Sequence, residues 1–207
     1  MKNQETTKTQ IKIITLGNSG VGKTSFVMRY IGNIYDDYQL STNGFEIQTK
    51  HVKRNGKIYQ IDFYDTAGQE TYKSIASSFI KNANGIILMY DISNKKSFDE
   101  INEWMNDIIN IKGADFPIIL IGNKCDLENR EVEFEEGENF ANENGLKFME
   151  TSNKNNTNIE EAGKEIINMI LDKKEKEEKL LKNDDNENRI PLEKDSNLKG
   201  KRSCCCL

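Results

Sequence analysis

The segment Gly17-Asn18-Ser19-Gly20-Val21-Gly22-Lys23-Thr24 follows the pattern G-x-x-x-x-G-K-[ST], directly behind the apolar residues Ile11, Ile13, Ile14 and Leu16. Small residues at these spacings let consecutive backbone N–H groups and the first turn of a helix close around a polyphosphate. Lys23 adds a point charge, Thr24 offers a hydroxyl oxygen to Mg²⁺, and Ser25 follows in the same stretch. The pattern carries this chemistry when a strand enters the loop and a helix leaves it.

Phosphate binding alone does not choose a base. Asn123-Lys124-Cys125-Asp126 follows the apolar run Ile118, Ile119, Leu120 and Ile121, at the carboxyl end of a predicted buried strand, where open α/β sheets bind ligands. A carboxylate at Asp126 can accept from both N1–H and the exocyclic amine of guanine, donors that adenine does not present together. Asn123 can hold the loop and the base edge, and the stem of Lys124 can cover a ring face. Cys125, in an apolar context, reads as a small buried hydrophobe.

The elements that must position these groups alternate along the chain. Strands are predicted near 10–16, 45–53, 58–64, 85–91, 117–122 and 147–150, and helices over 22–31, 70–79, 97–111, 134–144 and 158–173. Such alternation signals a mostly parallel sheet covered on both faces. Asn55-Gly56 between the second and third strands tolerates positive φ at both positions, so these two strands are expected to form an antiparallel hairpin. The fold class is therefore α/β, six strands with one antiparallel and five flanking helices.

The 207 residues, 36% apolar and 30% charged, suit one globular domain with an appendage. A net charge of −5 argues against a nucleic-acid partner. Residues 1–10 are polar with no apolar leader pattern, and no apolar stretch reaches membrane-span length, so a cytosolic compartment is expected. Of the four cysteines three are adjacent at the end and Cys125 is distant, which is no disulfide framework. Past about 172 the chain turns to Lys, Glu, Asp and Asn and cannot bury enough surface to offset ordering. Residues 1–8 are expected to be disordered, 9–172 to form the domain and 173–207 a flexible tail. The first turns of that tail, through Leu180 and Leu181, can prolong the last helix. His51 on a polar strand reads as solvated, Trp104 as part of an apolar helix face, and the acidic run 131–138 as a solvated helix start.

With both motifs in order, the chain resembles the Ras-superfamily small GTPases over roughly residues 9–172, and within them the Rab family. The resemblance implies the P-loop GTPase fold, GTP and GDP as ligands, and Mg²⁺. Asp65-Thr66-Ala67-Gly68-Gln69-Glu70 resembles the second switch, where Asp65 would hold the Mg²⁺ shell through water, the Gly68 amide would meet the γ-phosphate and Gln69 would orient the attacking water. Ser41-Thr42 resembles the first switch, with the Thr42 hydroxyl on Mg²⁺. Lys23, Thr42 and Gln69 would then be the catalytic set, since phosphoryl transfer needs charge neutralisation and positioning more than a strong base. Glu150-Thr151-Ser152-Asn153-Lys154 resembles the last guanine motif, in which Ser152 steadies Asp126, the backbone N–H of Asn153 meets guanine O6, and Lys154 follows in the same loop. Tyr35 matches the aromatic that stacks on the guanine edge.

Ser19, Gly44, the segment Tyr72-Lys73-Ser74-Ile75-Ala76-Ser77-Ser78-Phe79 and the strand Ile87-Leu88-Met89-Tyr90-Asp91-Ile92 resemble Rab sequences, and no insert like the extra Rho helix follows Asp126. The chain departs from the Rab pattern at Asn43 (usually Ile), Ile47 (Phe), Tyr64 (Trp), Gln39 (an aromatic over the γ-phosphate) and Asn153 (Ala), the last contacting through its backbone. The ending Cys204-Cys205-Cys206-Leu207 fits C-a-a-X with Leu, the geranylgeranyl choice, and resembles the Rab ending that takes two prenyl groups. Lys199, Lys201 and Arg202 add attraction to anionic lipid.

The expected function is a monomeric, Rab-like switch in vesicle traffic. Lipid would hold it on the cytoplasmic face of an endomembrane or the plasma membrane, with a cytosolic pool. Expected partners are an exchange factor, an activating protein, effectors, a prenyltransferase and a prenyl-binding chaperone. The alternatives are a Ras- or Rho-type signalling GTPase and a GTP-dependent scaffold with negligible hydrolysis. A nucleotide kinase lacks an evident lid and second-substrate site.

Overall fold

A computed structural model describes residues 9–36, 45–66 and 73–187, without the side chains of residues 45, 66, 73–76 and 182–187. The most apolar runs form the middle of the sheet. β1 is Thr9–Leu16, β2 Phe45–Arg54, β3 Lys57–Thr66, β4 Gly85–Asp91, β5 Ile118–Asn123 and β6 Lys147–Thr151, in the spatial order β2-β3-β1-β4-β5-β6. Every residue of β4 and β5 is buried, as parallel strands covered on both faces require. β1 runs parallel to β3 and β4, β4 to β5, and β5 to β6, whereas β2 and β3 are antiparallel. Asn55 (φ 51°) and Gly56 (φ 77°) turn that hairpin with both residues left-handed, as the dipeptide predicts.

Five helical regions flank the sheet. α1 is Lys23–Gly32, α2 Lys73–Asn82, α5 Phe134–Glu143 and α6 Ile159–Glu187. The region expected at 97–111 begins earlier and is broken at Glu100 into α3 (Lys95–Asp99) and α4 (Ile101–Lys112). There the Glu100 carbonyl accepts from Glu103 N at 3.1 Å, a tight i to i+3 turn. α2 ends at Asn82 and not at 79, because Ile80 is fully buried and belongs on the helix face. Residues 70–72, expected in this helix, lie outside the described residues.

α6 also runs past 173, to Glu187. Lys174, Glu175, Glu178 and Lys179 are strong helix formers whose i to i+4 spacing pairs opposite charges, so helix persists there without apolar burial. The described residues divide into two units, the first ending at Leu171 and the second beginning at Asp172. In the first, the α6 residues Ile159, Ala162, Ile166, Ile167 and Ile170 join one apolar cluster with Phe26 of α1. A second cluster includes Ile14, Leu88, Ile101 and Ile108. Consecutive β1 residues Ile13 and Ile14 enter different clusters, the alternation that a pleated strand imposes. Trp104 packs on the second cluster but is only half-buried.

Candidate nucleotide-binding site

The parallel topology brings the carboxyl ends of β1, β3, β4, β5 and β6 to one rim, and every described candidate residue of the motifs lies at or just beyond it, apart from Tyr35, which follows α1. Gly17, leaving β1, has φ 133°, and a Cβ there would stand 2.1 Å from the Met89 carbonyl oxygen of β4, so only glycine fits. The loop ends at Gly22, the N-cap of α1, with φ 97° and no side-chain cap on the helix. A helix start without a side-chain cap is the arrangement that receives an anion. Lys23 is 5% exposed, and its Nζ donates to the carbonyls of Gly17 (2.9 Å) and Asn18 (2.7 Å) across the loop. Burial pushes its pKa down to about 8, against the nearby Asp65 carboxylate, which raises it. Such a poorly hydrated ammonium is suited to phosphate oxygens.

At the end of β3, Asp65 is 2% exposed; it accepts from the Thr24 hydroxyl and, at 3.2 Å, from the Thr15 hydroxyl. This all-oxygen pair, Thr24 with Asp65, suits a hard cation such as Mg²⁺. No cluster of three or more His, Cys, Asp or Glu that could hold a metal ion by itself occurs among the described residues. The third proposed metal residue, Thr42, and the switch residues Gly68 and Gln69 lie outside the described residues, as do Gln39, Asn43 and Cys204, Cys205 and Cys206.

Asn123 is 1% exposed and ties three segments together: its Nδ2 donates to Val21 O at 2.7 Å and its Oδ1 accepts from the Thr151 hydroxyl at 3.0 Å. Lys124 adopts φ 68°, and its ammonium pairs with Asp91 of β4 at 2.6 Å, which lays its stem along the loop. The Ser152 hydroxyl donates to Asp126 Oδ1 at 2.5 Å. Glu150 takes a bidentate pair from Arg130 (2.6 and 2.8 Å), bracing β6 below this loop. Arg29 of α1 donates to the carbonyls of Asn153 and Lys154, both at 2.9 Å, and its guanidinium lies 5.2 Å from the centre of the Tyr35 ring. Tyr35 is thereby held beside the 152–154 loop. Burial raises the pKa of the half-buried Cys125 thiol, reinforced by the Glu150 and Asp126 carboxylates, so it stays protonated.

A family model described as Ras family matches residues 12–172. The chain belongs to the Ras family. Among Ras-family relatives it is 40% identical over 152 residues to the Ras-related protein RIC1 of Oryza sativa subsp. japonica, covering 73% of this chain and 75% of that one. It is 38% identical over 163 residues to the Ras-related protein Rab-3C of Bos taurus, covering 78% of this chain and 72% of that one. The same identity and span relate it to the Ras-related protein Rab-3A of Homo sapiens, with 74% of that chain covered. It is a Rab-like small GTPase with the P-loop fold, and it hydrolyses GTP to GDP and phosphate.

In this Ras-family chain the bonds that join Arg29 to Asn153, Asp91 to Lys124 and Arg130 to Glu150 carry no sequence signal, because those partners lie far along the chain; Arg29 reaches a carbonyl 124 positions away. Asn18, within the phosphate loop, donates to Glu100 at 2.7 Å, which gives the break between α3 and α4 a place in the site. The departures Ile47 and Tyr64 face each other in the β2–β3 register. Tyr64 packs 6.0 Å from Phe79 over a cavity of about 140 Å³ that Lys12, Ile14 and Asn82 also line, and Ile47 is 47% exposed. No helix among the described residues is long and apolar enough to cross a membrane.

Proposed function

We propose that this GTPase is a Rab-type switch in vesicle traffic whose nucleotide lies along the rim of the sheet. The phosphates would sit on residues 17–25, the guanine between Asn123, Lys124, Asp126 and residues 152–154, and Tyr35 against the base edge. Thr24, Thr42 and Asp65 would hold Mg²⁺, which supplies neutralisation of phosphate charge when bound. Lys23 adds a second charge at the loop mouth, Gly68 a backbone donor, and Gln69 holds the attacking water in line. Residues 9–172 would form the catalytic domain. The tail, 173–207, helical in its first part, would carry prenyl groups on Cys204, Cys205 or Cys206 to the cytoplasmic face of a membrane, with a cytosolic pool. Binding as a monomer to an exchange factor, an activating protein, effectors and prenyl-handling proteins belongs to the same reading.

The observation that carries it is the Ser152–Asp126 bond placed beside the phosphate loop by two side-chain amides, Asn123 to Val21 O and Asn153 to Gly22 O. A carboxylate oriented there recognises the paired donors of guanine, and the loop recognises its phosphates. Competition of GDP against ADP, followed by single-turnover GTP hydrolysis by the wild type and Gln69→Leu, tests it. We expect preference for GDP, and hydrolysis slowed about 100-fold in the variant with an activating protein present. Equal hydrolysis by the two proteins would remove Gln69 from the mechanism.

A further inference from the structure

Asn153 stands where the Rab pattern has alanine, and the residue is 4% exposed. Its Nδ2 donates to Gly22 O at 2.9 Å, 131 positions away. Its Oδ1 is buried with no partner among the described residues, so this bond is the side chain's single tie. A carbonyl facing the amide fixes which end is nitrogen. The Gly22 carbonyl also accepts the first bond of α1, from Phe26 N at 2.9 Å, so both of its lone pairs are engaged. A Cβ on Gly22 would stand 2.3 Å from Asn123 Nδ2 and 2.8 Å from Asn153 Nδ2, which places both amides against the floor of the phosphate loop.

We infer that Asn153 is a positioning residue whose side chain couples the guanine loop to the phosphate loop and slows nucleotide release. The inference rests on the nucleotide placement proposed above. The main chain of Asn153 is held by Arg29 and its side chain by Gly22, so displacement of the base loop pulls on the residue directly before Lys23. A nucleotide that leaves by freeing its base must first loosen that tie. Alanine removes the tie and leaves the Phe26 bond of α1 in place, so the fold does not depend on it.

Release of fluorescent GDP from the full-length chain, with GDP and GMP affinities measured by competition, tests the coupling in wild type, Asn153→Ala and Asn153→Asp. We expect release about tenfold faster in Asn153→Ala, the effect of one lost buried hydrogen bond. The GDP-to-GMP affinity ratio is expected to narrow as well, because GMP lacks the phosphate that the second loop holds. Asn153→Asp, similar in shape without the donor, narrows the ratio too. Unchanged release, or equal weakening of GDP and GMP, overturns the coupling. Wild-type protein that binds neither nucleotide overturns the placement itself, and the inference with it.

Discussion

Ser152 Oγ and Asp126 Oδ1 are 2.5 Å apart, bridging the loops that follow β6 and β5. In the proposed placement of the nucleotide, this bond would turn Asp126 so that its remaining acceptors serve the base. Ser152→Ala is expected to weaken GDP binding about 10-fold, the scale of a hydrogen bond to a charged group. Asp126→Asn is expected to exchange guanine for xanthine preference, since the new amine faces a carbonyl where guanine offers an amine. Competition binding with GDP and XDP reads both, and a strong GDP preference in Asp126→Asn would detach this loop from the base.

Lys23 predicts a pH dependence of binding. In the folded chain its pKa is lowered from 10.5 to about 8 by burial, so between those values the unfolded state binds more protons than the folded one. Stability without nucleotide therefore gains from this group as pH rises through that window. Bound phosphates favour the charged form, so nucleotide binding takes up a proton above pH 8 and affinity falls as pH rises further. Titration calorimetry of GDP in buffers of different ionisation enthalpy, at pH 6.5 and 8.5, measures the proton count. Equal uptake at the two pH values would show that Lys23 does not meet the phosphates.

Asp62 of β3 holds the antiparallel edge to the parallel sheet. Although 3% exposed, it accepts from Gln10 of β1 at 2.5 Å, Thr49 of β2 at 2.7 Å and Gln60 at 3.1 Å. Burial alone would raise its pKa, but these hydrogen bonds and the Lys12 charge outweigh burial, and the value lies below 3.8. The folded state binds fewer protons than the unfolded one near that pH, so the stabilisation is present above 3.8 and lost as pH falls through the folded value. Asp62→Asn is expected to cost roughly 1–3 kcal/mol at pH 7 and progressively less below pH 4 in urea unfolding. A pH-independent difference would mean that the carboxylate charge is not what the three donors recognise.

For the carboxyl terminus, replacing Cys204, Cys205 and Cys206 together with Ser is expected to abolish membrane attachment, and removing the charges of Lys199, Lys201 and Arg202 to weaken it less. Each buried CH₂ of a prenyl chain contributes about 0.8 kcal/mol, whereas each basic side chain contributes about 1 kcal/mol and is screened by salt. Mass spectrometry of the terminus with membrane fractionation checks both. A triple-Ser chain that still sediments with membranes would mean attachment through a partner.

The local rules were legible where they act over a few residues. Asn55-Gly56 announced the hairpin, and the Ile-rich run at 118–121 announced a buried strand, because turn chemistry and periodicity are local. The end of α6 was not, since apolar periodicity stops near Leu171 while charged residues of high helix propensity continue the helix to Glu187. Within the candidate site, Lys23, Asp65, Asn123 and Asp126 were singled out by spacing and resemblance. The Arg29 bonds and the buried side chain of Asn153 did not, because their partners are set by tertiary packing. Asn153 was expected to contribute only its backbone.

The strand order has a consequence for synthesis. β1, entering the phosphate loop, lies inside the sheet, whereas β6, which leads into the Ser152 loop, is an outer strand formed late in the chain. Asn123 and Asn153 therefore reach back 102 and 131 positions to the same stretch of loop. A ribosome that has released residues only through β5 has exposed a phosphate loop with no completed clamp for the base. With the nucleotide placed as proposed, its capture would coincide with the docking of β6, so that the ligand would stabilise finished chains over partial ones.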